Sequence, residues 1–461
     1  MCDASVFAFS GQKYAIISYR ANFLSEFYLF FSFICAKPKK SVSLRTGNGP
    51  SQYFRICFAF IIRYQMCLYS LIGSWPLWLQ ISCLAFVVVW LVQMILLVAV
   101  RGKVQRRARA ERRNELPIMC DQPGVSVVIY AHNQGDALER NLPAVLDNEY
   151  LDYEVIVVDD GSSDNTESVL TLLGHRYANL HHTSMSKRVN TVSHRKMAML
   201  LGVKAAKHDI ILMTQAQCIP TSRHWISSMA AHFSSHIDAV IGPVVYEDRV
   251  GIRNRFYQWD LFDRMLDAFG LTMAVKTWSG WSANMAFRKQ VFYDCHDEAF
   301  QKHLGLNPGE DDLFLMGITR GNNITVACSA DAVMVDSEPH LQYSWSKERM
   351  KRAFLSRYYF VLPMLVKGLE RFSRLLLLAG GLTLFVVSLI LQQWILTGAL
   401  VALTLVHLLT FALIPYLTSR DLGVHRYFFS PLIYALYTPL VDVSFKLRSL
   451  FKSRQYYVGR I

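Results

Sequence analysis

The sequence predicts an α/β fold: a doubly wound, mostly parallel sheet set between an N-terminal transmembrane helix and a C-terminal transmembrane hairpin. Three observations predict it. First, the apolar, β-branched runs Val125–Ala131 and Tyr153–Val158 flank Gly135–Leu146, where Ala137, Leu138, Leu142, Val145 and Leu146 recur at helical spacing. That pattern is a βαβ unit with a parallel strand pair. Second, strand and helix patterns keep alternating as far as Tyr246, as a doubly wound sheet requires. Third, Leu77–Val100 carries no charged residue, and Leu375–Ser419 has no Asp, Glu, Lys or Arg over 45 residues. One span takes about 20 residues, so the second stretch is two helices, turning near Gln392-Gln393.

Bulk properties narrow the class. The chain has 461 residues, is 52% hydrophobic and carries a net charge of +13. The charge is placed beside apolar spans: Arg101–Arg113 follows Leu77–Val100, and Lys446, Arg448, Lys452 and Arg454 follow another apolar stretch. Membrane topology, not nucleic-acid binding, accounts for that placement. It predicts a multi-pass membrane protein with its soluble domain facing the cytoplasm. The nine cysteines include no Cys-x-x-Cys pair, which argues against a zinc module or disulfide framework and fits a reducing compartment.

In order, residues 1–76 are a poorly defined N-terminal extension. Phe23–Cys35 is apolar but short and interrupted by Glu26, and Arg55 and Arg63 break the next apolar run. The expectation is that residues 1–65 lie outside the working fold and that translation begins at Met66. Residues 77–100 form a transmembrane helix, 101–120 a basic linker, and 121–344 the α/β domain. Within that domain Asp164–Leu173 is a helix, Ala178–Thr183 a strand, Asn190–Ala206 a helix and Asp209–Thr214 a buried strand. Pro220 and Thr221 open a helix with Trp225, Met229 and Phe233 at helical spacing, and Ala239–Tyr246 is a further strand. Residues 345–374 form an amphipathic interface helix, 375–419 the hairpin, and 420–461 an interfacial apolar segment with a basic tail.

The second strand runs into Asp159-Asp160-Gly161-Ser162-Ser163-Asp164. Ligands of open α/β sheets bind beyond the carboxyl ends of the strands, so this acidic turn lies where a nucleotide is expected. Gly161 supplies the close approach or unusual dihedral such a turn needs. An ordinary Asp-Gly turn with a helix cap at Ser162, Ser163 or Asp164 explains the same residues, and the two readings are compatible.

Taken together, Val125–Asn133, the VVDDGSSD turn, Asp209–Pro220, Trp278–Lys289 and Gly309–Phe314 fall in the order seen in glycosyltransferase family 2. The chain resembles a bacterial, membrane-anchored member with the GT-A fold, over roughly Val125 to Arg352. That bacterial resemblance makes the membrane the inner (cytoplasmic) membrane. The resemblance implies a nucleotide-sugar donor and inverting transfer to a membrane lipid, a lipid-linked acceptor or a growing cell-surface glycan. It places Asp159 and Asp160 on the base and ribose, with Ala131, His132 and Asn133 as the floor beneath the base. Lys196 either meets a phosphate or lies on a solvated helix face. Gln215-Ala216-Gln217 stands where the family has Asp-x-Asp, whose carboxylates hold Mg²⁺ or Mn²⁺ against the diphosphate. Glutamine amides are neutral, weaker ligands, so a divalent cation is in doubt and weak metal dependence is expected. Trp281, Asn284 and Glu310 are implied contacts of the acceptor or sugar, although the tryptophans Trp278 and Trp281 equally suit a core or a bilayer anchor. Asp311 matches the family's base position and Asp312 stands next to it; an acidic run also favours a helix N-terminus. Arg349, Lys351 or Arg352 either grips the diphosphate or binds anionic lipid. A catalytically silent relative that binds a nucleotide sugar or scaffolds a partner enzyme is the competing expectation.

Overall fold

The computed structural model describes residues 75–115, 122–185, 193–295, 306, 309–337, 341–435 and 437–451. The expectations for residues 1–65 and for Lys452 and Arg454 fall outside them. The chain divides into Met1–Pro76 and Leu77–Ile461, and the architecture is that of the second unit.

Helix α1 (Leu77–Arg112) is 36 residues long and contains a π-helical turn at Leu97–Arg101. The expected basic linker is therefore mostly helix. Gly102–Arg112 is rich in Ala, Arg, Lys, Gln and Glu, which favour helix, and Arg107 pairs with Glu111 one turn on at 2.6 Å. Val104 and Ala108 turn into the soluble core.

The α/β domain follows as β1 (Val125–Ala131), α2 (Gly135–Leu146), β2 (Tyr153–Asp159), α3 (Thr166–Arg176), β3 (Leu180–Ser184), α4 (His194–Ala205), β4 (Ile210–Gln215), β5 (Cys218–Pro220), α5 (Trp225–Ala230), β6 (Ala239–Ile241), β7 (Val244–Tyr246), α6 (Ile252–Ala274), β8 (Met285–Arg288), α7 (Lys289–Tyr293), α8 (Asp312–Ile318), β9 (Ile324–Val326) and β10 (Met334–Asp336). The main sheet has the order β3-β2-β1-β4-β8-β6-β9, and a second runs β5-β10-β7. β3, β2, β1 and β4 are parallel neighbours, and β8 runs antiparallel between β4 and β6. This is the mostly parallel α/β sheet expected of the GT-A fold. Register pairs Ala131 with Asp159 and Tyr130 with Gln215, so three strands end together on one edge. Chain order reverses at β1, the position where open sheets bind ligands.

Two expected elements differ. Pro220 ends β5 and does not open a helix; α5 begins at Trp225. Ala239–Tyr246 is not one strand but breaks at Gly242-Pro243, because Pro243 has no N–H to give a ladder. The Pro243 carbonyl accepts from Met334 N (3.0 Å) and Asn284 Nδ2 (2.9 Å), and β6 and β7 part into different sheets.

α6 has no counterpart among the expected elements. It is buried from Phe256 to Leu271 and carries Asp260, Asp263, Arg264 and Asp267 inward. Its Gly270 lies against α1 so closely that a Cβ would sit 2.6 Å from the Val100 carbonyl oxygen.

The C-terminal part comprises α9 (Leu341–Leu355), α10 (Val361–Ile390), α11 (Trp394–Asp421), α12 (Ser430–Tyr434) and α13 (Tyr437–Phe451). The expected interface helix 345–374 is thus two helices, broken between Leu355 and Val361, with Pro363 tolerated in the first turn of α10. The hairpin turns at Leu391–Gln393 as expected, but its first helix starts fourteen residues early, at Val361. α1, α10 and α11 are long and apolar enough to cross a membrane, by length and composition. α13, with 15 residues, is shorter than the about 20 that a span needs. It lies along α9, joined by the Arg349–Asp442 ion pair and an edge-on contact of Trp345 with Phe445 at 5.6 Å.

The long apolar helix α1 is tied to the α/β domain by charge. Arg101, 2% exposed, sits 2.7 Å from Asp263 and 2.8 Å from Asp267. Breaking such a buried pair leaves uncompensated carboxylates and costs about 3–5 kcal/mol. Arg101→Gln should therefore lower the thermal midpoint of the detergent-solubilised protein far more than Arg113→Gln, whose pair with Glu115 is exposed; equal midpoints would show that Arg101 holds nothing in place.

Candidate active site

The turn after β2 is stitched to the loop after β1. Gly161 adopts a left-handed φ of 59° and Asn133 one of 51°. Asn133 Oδ1 accepts from Ser163 N at 2.8 Å. Asp164, just before the Asn165 N-cap of α3, accepts from Thr166 N at 3.1 Å and from Gly135 N at 3.0 Å. Asp159 accepts from the Ser162 amide (3.2 Å) and hydroxyl. Asp160 accepts from Tyr130 Oη at 2.8 Å and meets His194 Nδ1 at 2.5 Å. The turn-and-cap explanation of this segment is therefore built into the structure. Asp160 opens toward Tyr130 and His194, whereas Asp159 is spent on its own turn. Ala131 is fully buried beneath.

Beyond the β1 and β4 termini lies a cavity of about 230 Å³. It gathers Gln215, Gln217, Trp281, Glu310, Asp311, Asp312 and Arg352 of the expected site. It also brings Tyr130, Gln134, Arg195, Arg264, Asp336, Lys347, Glu348 and Lys351. Tyr130 touches both the cavity and Asp160, joining the acidic turn to the rest.

The acids come from the turn into α8, and neighbours separate their states. Glu310 is buried, which opposes its charge, but Arg195 at 2.9 Å and Lys351 hold its carboxyl below the usual range. Asp311 is the N-cap of α8 and accepts from Asp312 N at 2.8 Å. Burial, then the charges of Asp312, Glu310 and Glu348, push it up to about 8. Asp312 is fixed on both oxygens, by Gly280 N at 3.1 Å and Tyr359 Oη at 2.5 Å, with Arg264 at 4.0 Å. Asp311, whose other oxygen has only the long 3.4 Å contact to Ser282 N, is the carboxyl better able to take a proton. Lys196 is buried behind the acids and not on a solvated face. Its Nζ donates to the Leu306 carbonyl at 3.2 Å, and burial brings it down to about 8 against the pull of Glu310 and Asp311.

The glutamines form a chain of amides. Gln134 Nε2 donates to Gln217 Oε1 (3.0 Å), Gln217 Nε2 to Gln215 Oε1 (2.6 Å), and Gln215 Nε2 to Ser282 Oγ (2.9 Å). Both amide oxygens that would face a metal already accept an N–H. Hard divalent cations favour carboxylate oxygen, and among the described residues no group of three His, Cys, Asp or Glu converges on a metal position. The loop does not fit the ion that Asp-x-Asp would hold.

Two expected contacts lie elsewhere. Asn284 is fully buried and brackets the core, bonding Trp225 Nε1, Pro243 O and Ala332 O at 3.1, 2.9 and 2.7 Å, and it does not line the cavity. Arg349 turns away from this cavity to Asp260 and Asp442. Trp281 is a cavity wall, with the Arg264 guanidinium 5.0 Å from its ring centre. Trp278 lies outside this cavity, 4.4 Å from Lys367 Nζ. Arg264 has no local sequence signal at all; Arg195 and Lys347 lay within stretches singled out for their neighbours.

The family model for glycosyl transferase family 2 matches residues 126–295, so this part of the α/β domain is similar to that family. No curated protein matches the chain. Among solved structures, it is similar to the mannosyltransferase PcManGT from Pyrobaculum calidifontis, solved with GDP-Man and Mn²⁺, at 16% identity and TM-score 0.40, covering 76% of this chain and 99% of that one. It is similar to TarS of S. aureus at 16% identity and TM-score 0.36, covering 71% and 54%. The glucosyl-3-phosphoglycerate synthase of Mycobacterium tuberculosis, solved with Mn²⁺, UDP and glucosyl-3-phosphoglycerate, is 19% identical with TM-score 0.33, covering 56% and 83%.

The amide chain makes a direct expectation. Titration calorimetry of the wild-type protein with Mn²⁺ alone should show no saturable binding, and the Gln215→Asp/Gln217→Asp variant should acquire it. Equal binding by both would show that the amides are no obstacle.

Proposed function

We propose that the protein is an inverting glycosyltransferase that moves a sugar from a nucleotide-sugar donor to a membrane-associated glycan or lipid-linked acceptor. The observation that carries this reading is that Asp311, at the start of α8, shares one cavity with the Gln215–Gln217 loop at the carboxyl edge of the sheet. An acceptor-side acid and a donor-side loop thus face the same space. The catalytic domain faces the cytoplasm of an inner membrane in this reading, supported by the basic run after the first apolar span.

The base and ribose lie over Ala131, Asn133 and Asp160, and the diphosphate over Gln215 and Gln217. Lys347 and, one turn on, Lys351 and Arg352 of α9 supply positive charge where the loop has none. Asp311 takes the proton from the attacking hydroxyl as the nucleoside diphosphate leaves, in a single displacement. Asp312 and Glu310 position it, one through Gly280 and Tyr359, the other through Arg195. No step is assigned to a metal.

The amide chain favours a second reading, a catalytically silent protein that binds a nucleotide sugar or scaffolds a partner enzyme. Calorimetry with UDP- and GDP-sugars, run beside a donor-hydrolysis assay, separates the two: binding without turnover selects the silent form.

Asp311→Asn should cut turnover about a hundred- to ten-thousandfold and leave donor affinity within a few-fold; unchanged turnover rejects the assignment. The pH dependence has a defined sign. Asp311 must lose its proton to act as base, and its pKa is raised, so the active fraction grows as pH rises through about 8. kcat/KM should therefore climb with pH and level off above about 8; a flat profile between about pH 6 and 9 contradicts the role.

A further inference from the structure

A second, larger cavity of about 470 Å³ lies behind the first, enclosed by α6, α9, α10 and α13. Six of its lining residues are basic (Arg264, Arg349, Arg352, Lys367, Arg371, Lys446) and three are acidic (Asp260, Asp263, Asp442). The pairing is uneven. Arg349 is held by Asp260 and Asp442, Arg371 by Asp442, and Lys367 stands 3.8 Å from Asp267. Among the described residues, Arg352 and Lys446 meet no carboxylate. Lys446 reaches only Ser356 Oγ and, at 3.5 Å, the Ala353 carbonyl. Arg264, itself 8% exposed, and Arg352 each bury an Nε with no hydrogen-bond partner. A buried guanidinium left unsatisfied is costly, and phosphate oxygen is the acceptor that guanidinium geometry suits best.

The surroundings select what brings that phosphate. Lys367, Gly368 and Arg371 belong to the first turns of α10, a helix apolar enough to span a bilayer. Beside the cavity, Leu365, Leu369 and Phe372 of α10 and Leu440, Val443 and Leu447 of α13 are exposed. The α13 residues recur at helical spacing, the pattern of a helix lying in a membrane surface. A positively charged chamber with apolar helices beside it suits an anionic head and an apolar tail on one molecule.

We propose that this chamber holds the phosphate-bearing headgroup of a membrane lipid, with its apolar tail lying along α10 and α13. The proposal rests on the reading that the acceptor is membrane-associated, and it specifies where such an acceptor seats. Arg264 and Arg352 line both cavities. Tyr359 lines the second and donates to Asp312 in the first. A group carried on the seated phosphate is thereby directed toward the acids of α8.

The test uses the full-length protein in detergent, with bound lipid counted by native mass spectrometry. Phosphatidic acid should be retained at least about tenfold more than phosphatidylcholine. Arg371→Gln/Lys446→Gln should lose that preference about tenfold, and so, more weakly, should Lys446→Gln alone, a partly exposed change that spares the fold. Arg448→Gln removes the same charge from α13 outside the chamber and should leave retention unchanged. Equal retention of the two lipids overturns the proposal. So does an equal loss in Arg448→Gln, which means diffuse surface attraction. Displacement of phosphatidic acid by inorganic pyrophosphate at the same concentration also overturns it, because the chamber then recognises free anions and not a lipid. Calorimetry with UDP- and GDP-sugars on the same preparations keeps the readings apart: absent donor binding with lipid preference intact fails the transferase reading and leaves this one standing.

Discussion

The buried guanidinium of Arg101 is the constraint on which the rest of the architecture depends. It lies where α1 leaves the apolar span and places one arm on Asp263 and the other on Asp267, one turn apart on α6. Lys367 of α10 approaches Asp267 from the other side at 3.8 Å. Two helices, both apolar enough to span a membrane, thus meet on a single acidic face of α6. Taking these charges out of water costs several kcal/mol per ion, and only the joint arrangement offsets it. The close approach of Gly270 to the Val100 backbone brings α6 and α1 near enough for these contacts. Arg264, held between the two acids on α6, is thereby delivered to the walls of both cavities.

That placement bears on the neighbouring carboxylates Asp311 and Asp312. They are adjacent in sequence, yet their surroundings push them toward different roles. Asp312 spends one oxygen on the Gly280 amide and the other on Tyr359, with Arg264 nearby. Its negative charge then makes Asp311 harder to ionise, together with burial and with Glu310 and Glu348. A carboxyl raised in this way by burial and neighbouring charge is how a site holds a group able to accept a proton near neutral pH.

The parts of this design that were legible in the sequence are those set by local rules. β1, α2 and β2 follow from residue periodicity, and the left-handed Gly161 turn from glycine's freedom. The α8 start follows from acids that suit a helix N-terminus. What was not legible depends on partners far away in the chain. α6 hides because Asp260, Asp263 and Asp267 read as surface residues, and they are buried only because Arg349, Arg101 and Lys367 come to meet them. Arg349 and Arg352 stand three residues apart on α9, yet the first is consumed by Asp260 and Asp442 and only the second reaches the cavity at the sheet edge. Lys196 is buried where a solvated face was equally consistent with the pattern. Asn284 resembles a ligand contact in sequence and is a core bracket in space, since the proline break between β6 and β7 leaves a carbonyl that its amide satisfies.

The glutamine loop links these features. With carboxylates at positions 215 and 217, positive charge for a diphosphate would come from an ion held at the tip of β4, deep in the rigid sheet. Here the two amides are neutral and bonded to each other, to Gln134 and to Ser282. The positive groups facing the cavity are side chains, and Lys347, Lys351 and Arg352 all stand on α9. α9 is packed against α13 and is separated from the long apolar helix α10 by only a short break. In the proposed reading, charge compensation for the donor has therefore moved from the sheet to the membrane side of the domain. Arg352 would then answer to the donor on one face and to a lipid phosphate on the other. Donor and acceptor occupancy would in that reading be coupled through Arg352, with Arg264 beside it on the walls of both cavities.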